Sequence, residues 1–163
     1  MPERVRIAVG SDHAGLALKE KVREYLLDRG YDVDDQGTFS EQSVDYPDFA
    51  EKVAERVATG QATFGVVVCA TGAATAMAAN KVPGIRAAAC NDTITARSAR
   101  EHNNANVLTL GGRILGPAAA GKVLDTWLAT PYAGGRHQKR LDKIVAIERS
   151  RKSKVESLKR CEP

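Results

Sequence analysis

The chain has 163 residues, of which 43% are hydrophobic and 27% are charged, and its formal net charge is +4. This length suits one domain that buries its own apolar core without disulfides or metals. The three cysteines are widely spaced and include no CxxC pair, which argues against a disulfide framework and against a zinc site. No segment has some 18 consecutive apolar residues and no apolar leader precedes the first strand, so we expect a cytoplasmic protein without a membrane partner.

The positive charge is concentrated at the C-terminal end. Residues 136–163 contain 10 Lys and Arg against 4 Asp and Glu, whereas residues 1–135 contain 14 against 16. A basic segment can bind nucleic acid, but this one lacks interleaved aromatic residues and any nucleic-acid-binding module. We therefore expect no nucleic-acid partner, and instead a solvated helix together with binding of a small anion.

Hydrophobic periodicity predicts five strands, each followed by a helix. The predicted strands are residues 4–10, 31–37, 66–68, 85–90 and 105–110. The first predicted helix covers residues 16–27 and is closed by Gly30, and the second follows the polar loop 38–48 and turns Phe49, Val53 and Val57 inward. The third is alanine-rich and is ended by residues 81–84, and the fourth is capped at 91–93 and runs through Arg100. Pro117 opens the fifth, and a charged sixth helix follows residues 134–138.

Five such units predict a single domain, residues 1–163, with a three-layer α/β/α Rossmann-like fold around a mainly parallel five-stranded sheet. The final helix lies in a basic tail at about 138–163 and has few apolar positions, so we expect it to pack on a partner subunit. Parallel strands end at one edge of their sheet, where open α/β folds bind ligands. Five polar or reactive side chains are expected near this edge: Asp12, His13, Cys69, Thr71 and Arg113.

Residues 65–81, GVVVCATGAATAMAANK, join the most apolar predicted strand to a helix. Three consecutive valines predict a strand covered on both faces, and small residues begin where Cys69 ends that strand. Small side chains let backbone N–H groups approach a bound oxygen, and a helix N-terminus favours negative charge. The small residues of this predicted cradle are Ala70, Gly72, Ala73 and Ala74. Cys69 would lie beside the cradle, and the alternative is a buried structural cysteine.

Six motifs resemble one protein family, in order and at the family's spacing. They are SDHAG (11–15), VDYPDFAEKVA (44–54), AANKVPGIRAA (78–88), ARxxREHNNANVL (96–108), GGR (111–113) and GGRHQKRLDKI (134–144). Over about residues 7–147 the chain resembles the ribose-5-phosphate isomerase B group of sugar-phosphate isomerases, which includes the galactose-6-phosphate isomerase subunits. Six motifs over most of the chain are far more specific than a single glycine motif.

The resemblance implies that an aldose phosphate and a ketose phosphate are interconverted through an enediolate, without a metal or cofactor. It assigns Cys69 as the base that moves a proton between C1 and C2, and His102 as the acid or base that opens the sugar ring. Asp12 would hold or move protons on the sugar hydroxyls, and Thr71 would hydrogen-bond O1 or the ring oxygen. From the residues alone, Asp12 and Thr71 are also typical of turns and caps, and a helix-end histidine is the better interpretation of His102.

The resemblance also implies the substrate contacts and the oligomer. The residues that match the phosphate cluster are His13, Arg113, Arg136 and Arg140, and those that would contact sugar hydroxyls are Asp45, Tyr46 and Asn103. Arg136 and Arg140 are four residues apart and therefore share one helix face. In the family, His102 and the Arg136 region come from the neighbouring subunit. This implies a homodimer, or a tetramer of paired dimers, with shared sites.

The loop after Cys69 departs from the family pattern. That pattern reads GTGIGMS, whereas residues 70–76 read ATGAATA, so Ala70 and Ala74 replace two glycines. Where glycine has a positive φ, alanine costs about 1 kcal/mol or forces a different turn. The added methyl groups would also narrow the cradle.

The predicted function is the interconversion of D-ribose 5-phosphate and D-ribulose 5-phosphate, in the pentose phosphate pathway. Two alternatives are an isomerase for another sugar phosphate, such as allose 6-phosphate, and a non-catalytic protein that binds sugar phosphates. A nucleotide-binding domain is disfavoured because neither GxGxxG nor GxxxxGK[ST] follows the first strand.

Overall fold

The computed structural model describes residues 4–160, which form five strands and six helices. The strands are β1 (Arg6–Ser11), β2 (Asp32–Asp35), β3 (Phe64–Cys69), β4 (Ala87–Ala89) and β5 (Val107–Gly111). The helices are α1 (Leu16–Asp28), α2 (Tyr46–Ala58), α3 (Ala73–Ala79), α4 (Thr93–Glu101), α5 (Pro117–Ala129) and α6 (Arg136–Lys159). The chain divides into two compact units between Tyr132 and Ala133. Within residues 4–160, no helix has the length and apolar character needed to span a bilayer.

All five strands are parallel, in the order β2-β1-β3-β5-β4. One apolar cluster packs α1, α4 and α5 against one face of the sheet, and a second packs α2 and α3 against the other face. The predicted three-layer α/β/α fold with a parallel five-stranded sheet is therefore confirmed. The predictions that the chain is one domain and that its last helix packs on a partner subunit stay predictions.

The central strand β3 supplies both apolar layers. Val66 and Val68 belong to the cluster under α1, α4 and α5, whereas Val67 belongs to the cluster under α2 and α3. Successive side chains of a strand point to opposite faces, so an unbroken run of valines fits a strand that is covered on both sides. Each fully buried valine contributes about 1.5 kcal/mol or more to stability.

The direction in which successive strands are added to the sheet reverses at β1. From β1 the chain crosses to β2 on one side, and from α2 it returns to β3 on the other side of β1. The two loops that leave β1 and β3 therefore diverge at the carboxyl edge, which is the edge where all five strands end. Open α/β folds bind ligands in the crevice that such a divergence leaves. The N–H of Asp12 donates to the carbonyl of Val68 at 3.3 Å and joins the two strand ends.

Several predicted boundaries were wrong. Helix α2 begins at Tyr46, so Tyr46 and Pro47 belong to its first turn and not to the preceding polar loop. Proline lacks the N–H that the first turn leaves unpaired, so it opens a helix as readily as it marks a turn. Strand β4 has only three residues, Ala87–Ala89, and β5 begins two residues later than predicted.

The second unit contains helix α6, which has 24 residues. The helix begins directly after Gly134 and Gly135, both of which have positive φ angles. Ile147 and Leu158 are each 61% exposed on it. The last three residues of the predicted basic tail, including Cys161, lie outside the described residues.

Candidate active site

Cys69 is the last residue of β3 and is only 4% exposed. Its sulfur accepts a hydrogen bond from the N–H of Gly72 at 3.1 Å and lies 3.3 Å from the hydroxyl of Thr75. The cysteine is not in a disulfide. A donor aimed at sulfur stabilises negative charge there, so this contact suits a cysteine that acts as a base.

The loop between β3 and α3, residues 70–72, depends on Gly72. This glycine has a φ of 85°, and a Cβ there would lie 3.1 Å from the backbone carbon of Leu110. Neither Ala70 nor Ala74 has a positive φ. The two alanines that replace family glycines therefore carry no left-handed strain, and the position that needs glycine has kept it.

Asp12 follows β1 and is buried. Its Oδ1 accepts the N–H of Gly15 at 2.9 Å, which fixes the carboxyl group in a tight turn. A Cβ on Gly15 would lie 2.3 Å from the carbonyl oxygen of Val68, so the turn can approach β3 this closely only with glycine. The turn therefore holds an acidic side chain at the carboxyl edge beside the end of β3.

Thr71 lies in the loop after Cys69 and is exposed. Its hydroxyl accepts the N–H of Ala73 at 3.4 Å, and its carbonyl accepts the side-chain amide of Asn91 at 3.0 Å. The Asn91 oxygen in turn accepts the N–H of Gly111 at 2.8 Å. Asn91 therefore braces the loop against the end of β5. The sequence predicts Asn91 only as part of a helix cap, although its position after β4 indicates the same sheet edge.

Two predicted phosphate ligands also follow strands at this edge. The N–H of Arg113 donates to the carbonyl of Ala70 at 3.0 Å, and its side chain is exposed. The Nδ1 atom of His13 accepts the N–H of Val44 at 3.1 Å. A ring nitrogen that accepts carries no proton, so neutral His13 has its proton on Nε2 and can donate it to a phosphate oxygen. Tyr46, two residues beyond Val44, opens α2 and is 39% exposed.

His102 and Asn103 lie at the opposite edge of the sheet. Helix α4 starts after β4 at the carboxyl edge and runs back to Glu101, and His102 caps its end. The chain then reaches Asn106, whose carbonyl accepts the N–H of Gly65 near the start of β3 at 3.0 Å. A single copy of the chain therefore does not bring His102 to Cys69.

The remaining predicted residues lie in the first turns of two helices. Ala73 and Ala74 begin α3, directly after the loop. Arg136 and Arg140 lie in the first two turns of α6, both exposed and four residues apart. The two guanidinium groups therefore share one face of that helix.

The second described cysteine, Cys90, follows β4 and has a different environment. It is 1% exposed, and burial raises the pKa of its thiol to about 11. This cysteine stays a neutral core residue near pH 7. Among residues 4–160, no cluster of three or more His, Cys, Asp or Glu side chains could hold a metal ion.

Comparison with known proteins identifies the family. The Ribose/Galactose Isomerase profile matches residues 7–144. Ribose-5-phosphate isomerase B of Escherichia coli is 44% identical over 146 residues, which cover 90% of this chain and 98% of the relative. The ribose-5-phosphate isomerase B structure from Clostridium thermocellum has a TM-score of 0.89 at 50% identity and covers 90% of this chain and 99% of its own.

A further solved structure was determined with a ligand. Ribose-5-phosphate isomerase B of Mycoplasma genitalium, with bound ribulose-5-phosphate, has a TM-score of 0.85 at 41% identity, over 89% of this chain and 97% of its own. These matches span nearly the whole length of each relative and agree with the motifs and the sheet order. The chain therefore belongs to the Ribose/Galactose Isomerase family.

Proposed function

We propose that the chain interconverts D-ribose 5-phosphate and D-ribulose 5-phosphate by proton transfer through an enediolate. The observation that carries this proposal is the position of the Cys69 thiol. Its sulfur accepts a hydrogen bond from a backbone N–H at the carboxyl edge of the sheet, where the loops after β1 and β3 diverge. The relatives named ribose-5-phosphate isomerase B support this choice of substrate, as does the neighbour that holds ribulose-5-phosphate.

In the proposed reaction, the Cys69 thiolate removes the proton from C2 of the open-chain aldose. The C2–H bond pair becomes the C1–C2 double bond of the enediolate while the C1=O π pair moves onto O1. The thiol then returns the proton to C1, where the C1–C2 π pair forms the new C–H bond and an electron pair of O2 forms the C2=O bond of the ketose. The Gly72 N–H, 3.1 Å from sulfur, stabilises the charge that sulfur carries before it takes the proton. Thr71 donates to O1 or the ring oxygen, and no step needs a metal ion.

Asp12 moves protons between O1 and O2 of the sugar, because the carbonyl and hydroxyl groups on these two positions are interchanged in the reaction. Its Oδ1 is held by the Gly15 N–H, which leaves Oδ2 to accept from a sugar hydroxyl. His13 donates to the phosphate through Nε2, and Arg113 supplies a planar cation with paired donors. Both follow strands at the same edge as Cys69, so one phosphate group can engage both.

We propose a homodimer in which each site also uses the partner's copies of His102, Asn103, Arg136 and Arg140. The support is that His102 ends α4 at the edge opposite Cys69 within one chain. Exposed apolar side chains are also available for a partner to cover: Ile94 on α4 is 81% exposed and Met77 on α3 is 69% exposed. We place the reaction in the pentose phosphate pathway and the enzyme in the cytoplasm.

Purified protein with EDTA and ribose 5-phosphate tests the activity, with allose 6-phosphate as a comparison substrate. We expect ribulose 5-phosphate to form, and C2 hydrogen to exchange with solvent. Cys69→Ala should abolish both signals while the dissociation constant for ribose 5-phosphate changes by less than about threefold, because the phosphate contacts remain. Cys90→Ala is the matched control and should keep the activity. Absence of turnover with either sugar, or exchange that survives in Cys69→Ala, would refute the proposal.

A further inference from the structure

Thr75 is a fully buried polar residue beside the sulfur of Cys69, in the first turn of α3. Its Oγ1 lies 3.3 Å from Cys69 Sγ and 3.2 Å from the carbonyl oxygen of Gly72. The sulfur contact allows either atom to be the donor.

A hydroxyl has one proton, so Thr75 cannot donate to both neighbours at once. When Cys69 is a thiol, its S–H can donate to Thr75 Oγ1 while the Thr75 proton goes to the Gly72 carbonyl. When Cys69 is a thiolate, sulfur can only accept, and the Thr75 proton must turn toward it. The protonation state of sulfur therefore determines the direction of the Thr75 hydroxyl.

Thr109 helps to keep the Gly72 carbonyl satisfied during this reversal. Its hydroxyl, also fully buried, donates to the same Gly72 carbonyl at 2.6 Å. A buried carbonyl that loses its last donor is costly, but Gly72 keeps the bonds from Thr109 and from the Ala76 N–H, at 3.2 Å, when Thr75 turns away. A threonine that only satisfied this carbonyl would be redundant here, because the Ala76 N–H and Thr109 already do so.

We propose that Thr75 is a positioning residue whose hydroxyl reverses its hydrogen bond with Cys69 each time sulfur loses or gains the substrate proton. This inference rests on the proposed function, in which Cys69 is the base. As the C2–H bond breaks and the S–H bond forms, the Thr75 O–H turns from sulfur to the Gly72 carbonyl. As S–H breaks and C1–H forms, it turns back. The Gly72 N–H and the Thr75 O–H together stabilise the thiolate.

Two substitutions distinguish the effect of the Thr75 hydroxyl from the effect of its side-chain volume. Thr75→Val keeps the shape and removes the hydroxyl, and Thr75→Ser keeps the hydroxyl and removes a methyl group. Thr126→Val is the matched control, because that hydroxyl donates to the helix carbonyl of Lys122 on α5. The infrared S–H stretching band, taken as a difference from the Cys69→Ala spectrum, reports the protonation of Cys69 without substrate.

In Thr75→Val, the S–H band should disappear at a pH about one unit or more higher than in the wild type, because a hydrogen bond to a charged sulfur is lost. For the same reason kcat should fall about tenfold, with KM unchanged. Thr75→Ser should restore both values to within about threefold. Thr109→Val, with Thr75 intact, should shift the band in the same direction by a smaller amount, because the Gly72 carbonyl then has only the Ala76 N–H as another donor and competes more strongly with sulfur for the Thr75 proton. This variant also tests the inference should Thr75→Val fail to fold.

An unchanged S–H band in both Thr75→Val and Thr109→Val would overturn the proposal, as would equal losses in Thr75→Val and Thr75→Ser. The infrared result stands apart from the enzyme assay. If wild-type protein did not isomerise ribose 5-phosphate, the proposed function would fail. A shifted band would then still support the hydroxyl reversal at sulfur, and an unshifted one would refute it.

Discussion

The residues next to Cys69 determine which hydrogen bonds its sulfur can form. Gly72 contributes an N–H to the sulfur and a carbonyl that two threonine hydroxyls can reach. Both contacts depend on its left-handed backbone, since φ is 85°. The conformation of one glycine therefore connects the end of β3, the start of α3 and the buried hydroxyl of Thr109.

Gly72→Ala should reduce the free energy of unfolding by about 1–2 kcal/mol, because an L-residue is strained at this φ and its Cβ would press on the Leu110 backbone at 3.1 Å. Urea denaturation measures the change. Gly116→Ala is the control, since Gly116 has a φ of −78° and a Cβ there meets nothing within 4 Å. Equal losses in the two variants would show that the conformation of Gly72 is unimportant for stability.

Sequence could predict Cys69 at a strand end, because three valines followed by small residues mark where a buried strand stops. It could not predict the contact between Cys69 and Thr75. Successive helix residues point about 100° apart, so the side chain that meets the sulfur depends on where α3 begins. The sequence also could not show whether Ala70 and Ala74 are strained, because alanine is strained only where φ is positive. In the structure neither residue has a positive φ.

At the scale of elements, α4 is well defined at its start. Asp92 is the N-cap, and its Oδ1 accepts the Thr95 N–H at 2.7 Å, as the predicted cap at residues 91–93 required. That hydrogen bond holds the pKa of Asp92 below its usual range. In contrast, Asp45 stands at the N-cap of α2 without a side-chain capping bond. The start of α2 was accordingly mispredicted, since a Tyr-Pro pair suits both a loop and a first helical turn.

Asp92→Ala should lower the melting temperature at pH 7 by a few degrees, because an N-cap hydrogen bond is lost. The folded pKa of Asp92 lies below its unfolded value, so its contribution is present above the unfolded pKa and disappears as the pH falls through the folded pKa. The difference between wild type and Asp92→Ala should therefore shrink in acid. Calorimetry at several pH values measures it. A difference that is independent of pH, or an equal loss in the control Asp45→Ala, would contradict the capping account.

At the scale of the whole molecule, the parallel sheet gathers side chains that are far apart in sequence. Asp12, Cys69 and Arg113 meet at the carboxyl edge because every strand runs in the same direction. This much follows from strand order and could be predicted from the sequence. The position of His102 relative to Cys69 could not, because α4 carries it to the other edge. Only the family resemblance suggested that a neighbouring subunit supplies it.

The shared site is tested most directly by mixing two inactive variants, Cys69→Ala and His102→Asn, after confirmed exchange of subunits. If Cys69 of one copy works with His102 of another, each hybrid dimer has one intact site. Random pairing should then restore about a quarter of the wild-type rate of ribose 5-phosphate isomerisation. If each site were built from a single chain, every site in the mixture would lack one of the two residues. Exchange without any recovery of activity would contradict the shared site.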